Sequence, residues 1–193
     1  NVLYLTVSTG VGGGVIIDDR LLQGHHGLAA ELGHVIVDAS PSAPICGCGF
    51  RGHLEAFSSG TGIERYVADE LAAGRASTLA GKPSAREIGE AANDGDELAR
   101  SAYARAGEYL GLGVANYLHI FNPSIVILGG GVSMSGALIF EPFETSLRKY
   151  VFHPRYLEGL VISGAKLGDA SGLLGALALA RMKLEFKIQD SEI

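Results

Sequence analysis

The chain has 193 residues, 47% of them hydrophobic, which is enough to bury the core of one domain or of one large lobe. Fifteen basic against 21 acidic residues give a net charge of −6 without a basic run, which argues against nucleic-acid binding through this segment. The longest apolar stretches are far shorter than the roughly 20 residues of a membrane span, so we expect a soluble, cytoplasmic protein. A strand pattern at the first residues, in place of a cationic leader, predicts that the chain starts within a longer protein.

The first fifty residues carry mainly strand patterns. Residues 2 to 7 and 15 to 18 are β-branched or apolar. The six-residue join from 9 to 14 holds four glycines, which is typical of a hairpin turn. Residues 20 to 23 extend this meander, and residues 34 to 38 predict a further short strand.

Helical patterns follow the cysteines. Alanine, leucine and glutamate recur at helical spacing in three segments, residues 54 to 73, 84 to 93 and 97 to 119. In the third segment Gly107, Gly111 and Ala115 recur every four residues and form a face without bulky side chains. This face predicts close packing against another helix.

The last third of the chain alternates strands and helices. Asn122 and Pro123 end the preceding helix. We then predict a buried strand at 125 to 128, a glycine turn at 129 to 131, a helix from about 136 to 150, a strand at 160 to 163, a helix from about 171 to 182, and a loosely held tail from 185 to 193. The fold class predicted is α/β, a mixed sheet with packed helices.

The two cysteines lie in the segment Cys-Gly-Cys-Gly-Phe-Arg-Gly-His, which begins at Cys46 and ends at His53. A disulfide between Cys46 and Cys48 would be strained, so a metal or a reduced pair fits better. With His34, they form a set of two thiolates and two imidazoles, which zinc accepts tetrahedrally without an open position for water. The pattern favours a structural zinc; the alternative is two buried thiols and two unrelated histidines.

Two glycine-rich segments are candidate nucleotide contacts. The segment from Ser8 to Gly14 lies between strands, unlike a Walker loop, but its amides and the Thr9 hydroxyl could meet phosphate oxygens. A plain hairpin is the alternative. The segment 129 to 131 follows a buried strand and precedes a helix, where open α/β sheets bind ligands. Here the alternative is a tight turn chosen for its conformation alone.

Two carboxylates flank the cysteine segment, Glu31 and Glu55. Their oxygens could accept hydrogen bonds from the hydroxyls of a polyol, although isolated glutamates are usually solvated surface residues. We interpret the remaining histidines, at 25, 26, 119 and 153, as structural.

In order and spacing, these motifs resemble the ROK family, named for repressors, open reading frames and kinases. The resemblance rests on residues 8 to 14, on Gly-Leu-Ala-Ala-Glu-Leu-Gly-His at 27 to 34, and on 46 to 55, and it continues through 59 to 61, 122 to 123, 128 to 131 and 172 to 176. The family's loop reads C-x-C-G-x-x-G-C-x-E, and His53 stands where the family has a third cysteine. The exchange removes one negative charge, so we expect weaker zinc binding and competition from protons at mildly acidic pH.

The resemblance implies an actin-like, ribonuclease-H-like ATPase fold. Residues 1 to 193 would be its C-terminal lobe, and residues 34 to 55 would be a zinc loop within that lobe. The implied ligands of a structural Zn²⁺ are His34, Cys46, Cys48 and His53; the implied sugar contacts are Glu31, His34 and Glu55; and the implied contacts to ATP with Mg²⁺ are Thr9, Gly10, Gly12, Gly13, Gly129, Gly130 and Gly131.

The implied function is phosphorylation of glucose or an N-acetylated hexosamine with ATP by the full-length protein, expected to be a homodimer. The family's D-x-G-x-T motif and its aspartate base are not in this sequence, so we expect them upstream of Asn1 and expect this chain alone to be inactive. The alternative is the sugar-sensing part of a ROK repressor whose N-terminus reads DNA. A non-catalytic sugar-binding or oligomerisation module is a third reading.

Overall fold

A mixed sheet lies at the centre of the fold. The computed structural model describes the backbone of residues 1–190 and the side chains of 1–168 and 170–182. β1 (Val2–Val7) pairs antiparallel with β2 (Val11–Ile17) and parallel with β4 (Ile125–Gly129). β3 (Arg20–Leu21) and β5 (Val161–Gly164) lie at the two edges, which gives the order β3-β2-β1-β4-β5.

Helices fill the connections between the strands. Their bounds are α1 (Glu55–Ser58), α2 (Gly60–Ala72), α3 (Ala85–Asn93), α4 (Glu97–Phe121), α5 (Ala137–Tyr150) and α6 (Ser171–Asp190). The helix predicted over 54 to 73 is interrupted at Ser59, whose extended backbone lets its hydroxyl accept the Gly62 amide at the start of α2. Asn122 ends α4 in the left-handed conformation, with a φ of 42°.

The glycine face predicted on α4 is confirmed. A Cβ added to Gly107 would lie 2.6 Å from Cγ of Pro142, and one added to Gly111 would lie 2.6 Å from Cβ of Ser146. Both neighbours belong to α5, so the two helices approach closely because α4 has no side chains here. Around this contact, Phe143 and Leu147 are almost fully buried in the main core.

The predicted hairpin join is too long. β2 begins at Val11, opposite Val7, so the turn consists of residues 8 to 10, and residues 12 to 14 lie within the strand. Glycine is required at position 13 because a Cβ there would lie 2.7 Å from Cγ of Leu32, which packs over the strand. The periodicity of apolar residues could not reveal this contact, since it comes from a later segment.

The strand predicted over residues 34 to 38 is wrong. A short 3-10 helix (Leu32–His34) is followed by a single β-bridge between Ile36 and His53. The Leu54 amide donates to the Val35 carbonyl at 2.9 Å, and the Val37 amide donates to the Gly52 carbonyl at 2.8 Å. The segment therefore pairs with the cysteine loop and not with the sheet.

The other predicted elements are confirmed within a few residues, although the last helix continues to Asp190. Residues 191–193 of the predicted loose tail lie outside the described residues, as do the side chains of 183–190. Within the described part of the chain, no helix combines the length and apolarity that crossing a membrane requires.

Candidate functional site

Four side chains that can bind a metal converge beside the β1–β2 hairpin. The ligand atoms of His34, Cys46, Cys48 and His53 all lie within 4.8 Å of one another. Cys48 Sγ lies 3.1 Å from His53 Nδ1. A tetrahedral zinc site, with bonds of roughly 2.0 to 2.3 Å, separates its ligand atoms by about 3.5 Å. The structure thus brings together all four ligands that the sequence indicated.

The cysteine loop owes its shape to short-range hydrogen bonds and glycines. The Cys46 amide donates to the Phe50 carbonyl at 2.7 Å, and the Gly49 amide donates to the Cys46 carbonyl at 2.9 Å. Gly49 and Gly52 have φ angles of +92° and +75°, which side-chain-bearing residues rarely adopt. Glycine at these positions allows the chain to turn back between Cys48 and His53.

The environment of the four ligands fits a zinc ion. His34 Nδ1 is buried and has no hydrogen-bond partner among the described residues, although a buried polar nitrogen normally has one. Cys46 is 3% exposed, and burial raises the pKa of its thiol to about 11. A metal would satisfy the imidazole nitrogen and hold Cys46 as a thiolate. Four protein ligands leave no open position, which is the arrangement of a structural site.

Glu55 joins the cysteine loop to the hairpin. Its Oε1 accepts the Cys46 thiol at 3.2 Å, and its Oε2 accepts the Val11 amide at 3.0 Å. A Cβ on Gly10 would lie 2.6 Å from Oε2, so a side chain there would displace the carboxylate. Glu31 is exposed, and its backbone carbonyl accepts the His34 amide at 3.1 Å. Of the two predicted sugar-binding carboxylates, Glu55 is thus the one held at the cluster.

A cavity of about 500 Å³ opens at the carboxyl ends of β1 and β4. Five parts of the chain form its wall: the hairpin turn, the start of α2, one face of α3, Tyr103 of α4, and the segment after β4. The lining residues are Ser8, Thr9, Gly60, Thr61, Glu64, Ala85, Arg86, Gly89, Glu90, Asn93, Tyr103, Gly131, Val132, Met134 and Ser135. Parallel strands of open α/β sheets commonly bind ligands at this edge.

The hairpin turn is bound to the start of α2. The Gly60 amide donates to the Ser8 carbonyl at 2.7 Å, and the Thr61 hydroxyl donates to the Thr9 carbonyl at 2.8 Å. The carbonyls of the turn are therefore directed at the helix, while Ser8 and Thr9 remain exposed at the cavity. Hydroxyls and turn amides are donors suited to a phosphate.

The predicted glycine contacts have two different roles. Gly131 lines the cavity, as Thr9 does. Gly130 has a φ of +89°, and a Cβ there would lie 2.6 Å from the Val7 carbonyl carbon. Gly129 ends β4, where a Cβ would lie 2.7 Å from the Tyr4 hydroxyl. These two, together with Gly10, Gly12 and Gly13, are not among the described residues that line the cavity.

Sequence reasoning missed the wall that α3 contributes. Arg86, Gly89, Glu90 and Asn93 are spaced as one helical face and line the cavity. Their spacing was a signal, but it does not distinguish a cavity wall from a solvated face. The Tyr103 hydroxyl of α4 donates to the Ala85 carbonyl at 3.0 Å and holds the start of α3 in place.

The family model described as "ROK family" matches residues 1–183. The chain belongs to the ROK family. It is 37% identical over 190 residues to a glucokinase from Thermotoga maritima, covering 95% of this chain and 59% of that protein. It is 33% identical over 181 residues to an N-acetylmannosamine kinase from Salmonella typhi, covering 94% and 57%. The chain thus spans less than two thirds of the length of these relatives.

Solved structures show the same fold. A ROK family glucokinase from Streptomyces griseus, in complex with glucose and AMPPNP, is 34% identical, with a TM-score of 0.79 over 94% of this chain and 60% of that chain. A ROK family transcriptional regulator, described as a homolog of the E. coli MLC protein, is 33% identical, with a TM-score of 0.74 over 85% and 41%. The α/β fold of the chain is the actin-like ATPase fold that the resemblance implied.

Proposed function

We propose that the full-length protein phosphorylates a hexose, glucose or an N-acetylated hexosamine, using ATP and Mg²⁺. The observation that carries the proposal is the cavity at the hairpin turn, where Glu55, two residues after His53, accepts the Val11 amide. The similarity to a glucokinase and to an N-acetylmannosamine kinase supports this substrate class. Residues 1 to 193 are proposed to be the C-terminal lobe of this enzyme, in the cytoplasm and as a homodimer.

The hairpin turn and the start of α2 would bind the phosphates of ATP. Ser8 and Thr9 line the cavity and offer hydroxyl donors, while the Thr61 hydroxyl holds the turn by donating to the Thr9 carbonyl. Phosphoryl transfer depends mainly on positioning and charge stabilisation, which Mg²⁺ and such donors supply. The base that accepts the proton of the sugar hydroxyl is proposed to lie outside this chain.

The cysteine loop would hold Zn²⁺ through His34, Cys46, Cys48 and His53, and the ion would supply structural support. Glu55 is proposed to accept a hydroxyl of the sugar, with His34 and Glu31 as further contacts. In this arrangement the loop orders the sugar contacts next to the hairpin turn. The acceptor hydroxyl and the terminal phosphate would then meet between them.

The second candidate is a sugar-sensing regulator. The transcriptional regulator of the same family, 33% identical over 85% of this chain, supports it. Such a protein would keep the zinc and the sugar contacts and would lack phosphoryl transfer. An upstream D-x-G-x-T motif and aspartate base would favour the kinase, and an upstream helix-turn-helix would favour the regulator.

A coupled ADP-release assay separates the two candidates. The full-length protein is incubated with ATP, Mg²⁺ and a panel of hexoses, beside residues 1 to 193 alone. Hexose-dependent ADP release by the full-length protein only is the expected result. Absence of turnover, combined with sugar-dependent thermal stabilisation of the full-length protein, would replace the kinase with the regulator.

A further inference from the structure

The side chain of Arg65, on α2, hydrogen bonds to both ends of the segment that carries the cysteines. Its Nη2 donates to the Ala56 carbonyl at 2.7 Å, and its Nη1 donates to the Ile45 carbonyl. Ile45 immediately precedes Cys46, and Ala56 immediately follows Glu55. One guanidinium therefore holds together the backbone on either side of three of the four candidate ligands, Cys46, Cys48 and His53.

Other hydrogen bonds join residues within the cysteine loop itself. The Gly52 amide donates to the Pro44 carbonyl at 3.0 Å, and the Arg51 guanidinium donates to the Ala43 carbonyl at 3.0 Å. Such bonds fix the shape of the loop but not its distance from α2. Within the described part of the chain, Arg65 is the residue of α2 whose side chain hydrogen bonds to residues 43 to 52.

The same helix also holds the hairpin turn. Gly60 and Thr61 donate to the carbonyls of Ser8 and Thr9. Arg65 follows Thr61 by four residues, about one helical turn or roughly 6 Å along the axis. A change in the distance between α2 and the cysteine loop would therefore also move the loop relative to the turn.

Arginine suits two separate carbonyl acceptors. Its guanidinium is planar and presents several donors in a fixed fork, whereas the ammonium of lysine is a point charge on a flexible stem. We propose that Arg65 is a positioning residue of the metal centre, which sets the distance between Cys46 and Glu55 and holds both against α2. The proposal rests on the proposed zinc site and extends it to a residue that touches neither the metal nor the substrate.

The competing explanation is a clamp that only stabilises the fold. Arg100 provides a matched control, because its Nε donates to the Ala92 carbonyl at 2.9 Å and so joins α4 to α3. The interaction is of the same chemical kind and lies outside the segment 34 to 55. Loss of Arg65 removes two arginine-to-carbonyl bonds and loss of Arg100 removes one, but only loss of Arg65 should alter metal binding.

The test is a titration of the full-length protein with Co²⁺, whose visible absorption reports thiolate ligands and tetrahedral geometry. In Arg65→Gln we expect Co²⁺ affinity to fall by about 10- to 100-fold, as for other residues that support metal ligands, with altered cobalt bands. Arg65→Lys keeps the charge and loses the fork, so its Co²⁺ affinity should lie between those of Arg65→Gln and the unchanged protein. Arg100→Gln should keep the Co²⁺ affinity and the cobalt bands of the unchanged protein, even if its thermal stability is lower.

Three outcomes would overturn the proposal, and they are distinguishable. Wild-type Co²⁺ affinity and spectrum in both Arg65 variants would reduce Arg65 to a clamp and leave the zinc site intact. Absence of Co²⁺ binding by the unchanged protein would remove the metal site and the role of Arg65 with it. Equal losses of affinity in Arg65→Gln and Arg100→Gln would also count against a positioning role.

Discussion

The cysteine loop and the cavity adjoin the same hairpin turn but are built in different ways. The loop takes its four candidate ligands from one irregular segment of the chain, residues 34 to 53, held by glycine turns and local hydrogen bonds. The cavity takes its wall from five segments that the sheet and helices bring together. The order of the loop should therefore depend on a metal, and the order of the cavity should depend on secondary structure.

The largest effect is expected from removal of a metal ligand. Cys46→Ser should abolish zinc binding and lower the free energy of unfolding by about 4 kcal/mol, if free zinc exceeds its Kd a thousandfold. His53→Cys, which restores the family's third cysteine, should keep the zinc and bind it more tightly. Elemental analysis and thermal unfolding of the full-length protein measure both effects. Equal zinc contents in Cys46→Ser and the unchanged protein would refute the dependence of the loop on a metal.

A smaller effect is expected from the glycine turn of the cavity. Gly130→Ala places a Cβ at a φ of +89° and against the Val7 carbonyl, which should cost about 1 to 3 kcal/mol. Gly131→Ala is the matched control, because a Cβ there meets no atom within 4 Å, and its effect should stay within about 0.5 kcal/mol. Urea unfolding measures both. Similar losses in the two variants would mean that the turn is not held against β1.

Acid should weaken the hydrogen bonds of Asp96, whose side chain caps α4 and binds Ser77 and Thr78 in the segment before α3. Burial raises the pKa of Asp96, but hydrogen bonds from the Ala99 and Thr78 amides and from the Ser77 and Thr78 hydroxyls outweigh it and hold this pKa below its usual range. The stabilisation is present above the unfolded pKa of about 3.9 and is lost as the pH falls through the folded pKa.

Replacing Asp96 tests the contribution of these hydrogen bonds. Asp96→Asn should cost about 1 to 2 kcal/mol at pH 7, as for other N-cap residues, and the difference should shrink in acid. The exposed Asp94 nearby supplies the control Asp94→Asn, which should change stability little at either pH. Urea midpoints at pH 7 and pH 3 give the comparison. A difference that stays constant with pH would contradict the account of Asp96.

The smallest effect is expected from the hydroxyl that joins α2 to the hairpin turn. Thr61→Val removes the donor to the Thr9 carbonyl, worth about 0.5 to 1.5 kcal/mol, and should weaken binding of an ATP analogue by up to about tenfold. Thr145→Val on α5 removes a similar bond to the Glu141 carbonyl, away from the cavity, and should leave binding unchanged. Calorimetric titration of each full-length variant with the ATP analogue measures the affinity. Equal affinities of the two variants for the analogue would exclude a role of Thr61 in ordering the turn.

The difference between a loop built from one segment and a cavity built from distant segments also explains what the sequence could predict. Cys46, Cys48 and His53 are close along the chain, so their types and spacing were enough to indicate a metal site. The small-residue face of α4 was visible for the same reason. The bond from Glu55 to the Val11 amide joins residues 44 positions apart, and no local pattern reports it.

The cavity wall was harder to predict because tertiary packing creates it. The polar face of α3 becomes a wall only where Tyr103 and Glu64 hold the start of the helix, through the Ala85 carbonyl and the Ala85 amide. Gly12 and Gly13 looked like turn residues but pair with β1 as part of β2. Glycine stands at position 13 because Leu32 packs where a side chain would lie. Spacing alone does not distinguish these cases.

The loop and the cavity are proposed to serve one phosphoryl transfer to a sugar. Phosphorus NMR of the full-length protein with ATP, Mg²⁺ and glucose or an N-acetylated hexosamine tests it most directly. We expect a sugar phosphomonoester resonance whose intensity grows in step with that of ADP. Formation of ADP and inorganic phosphate alone, or no reaction with any of these sugars, would contradict it.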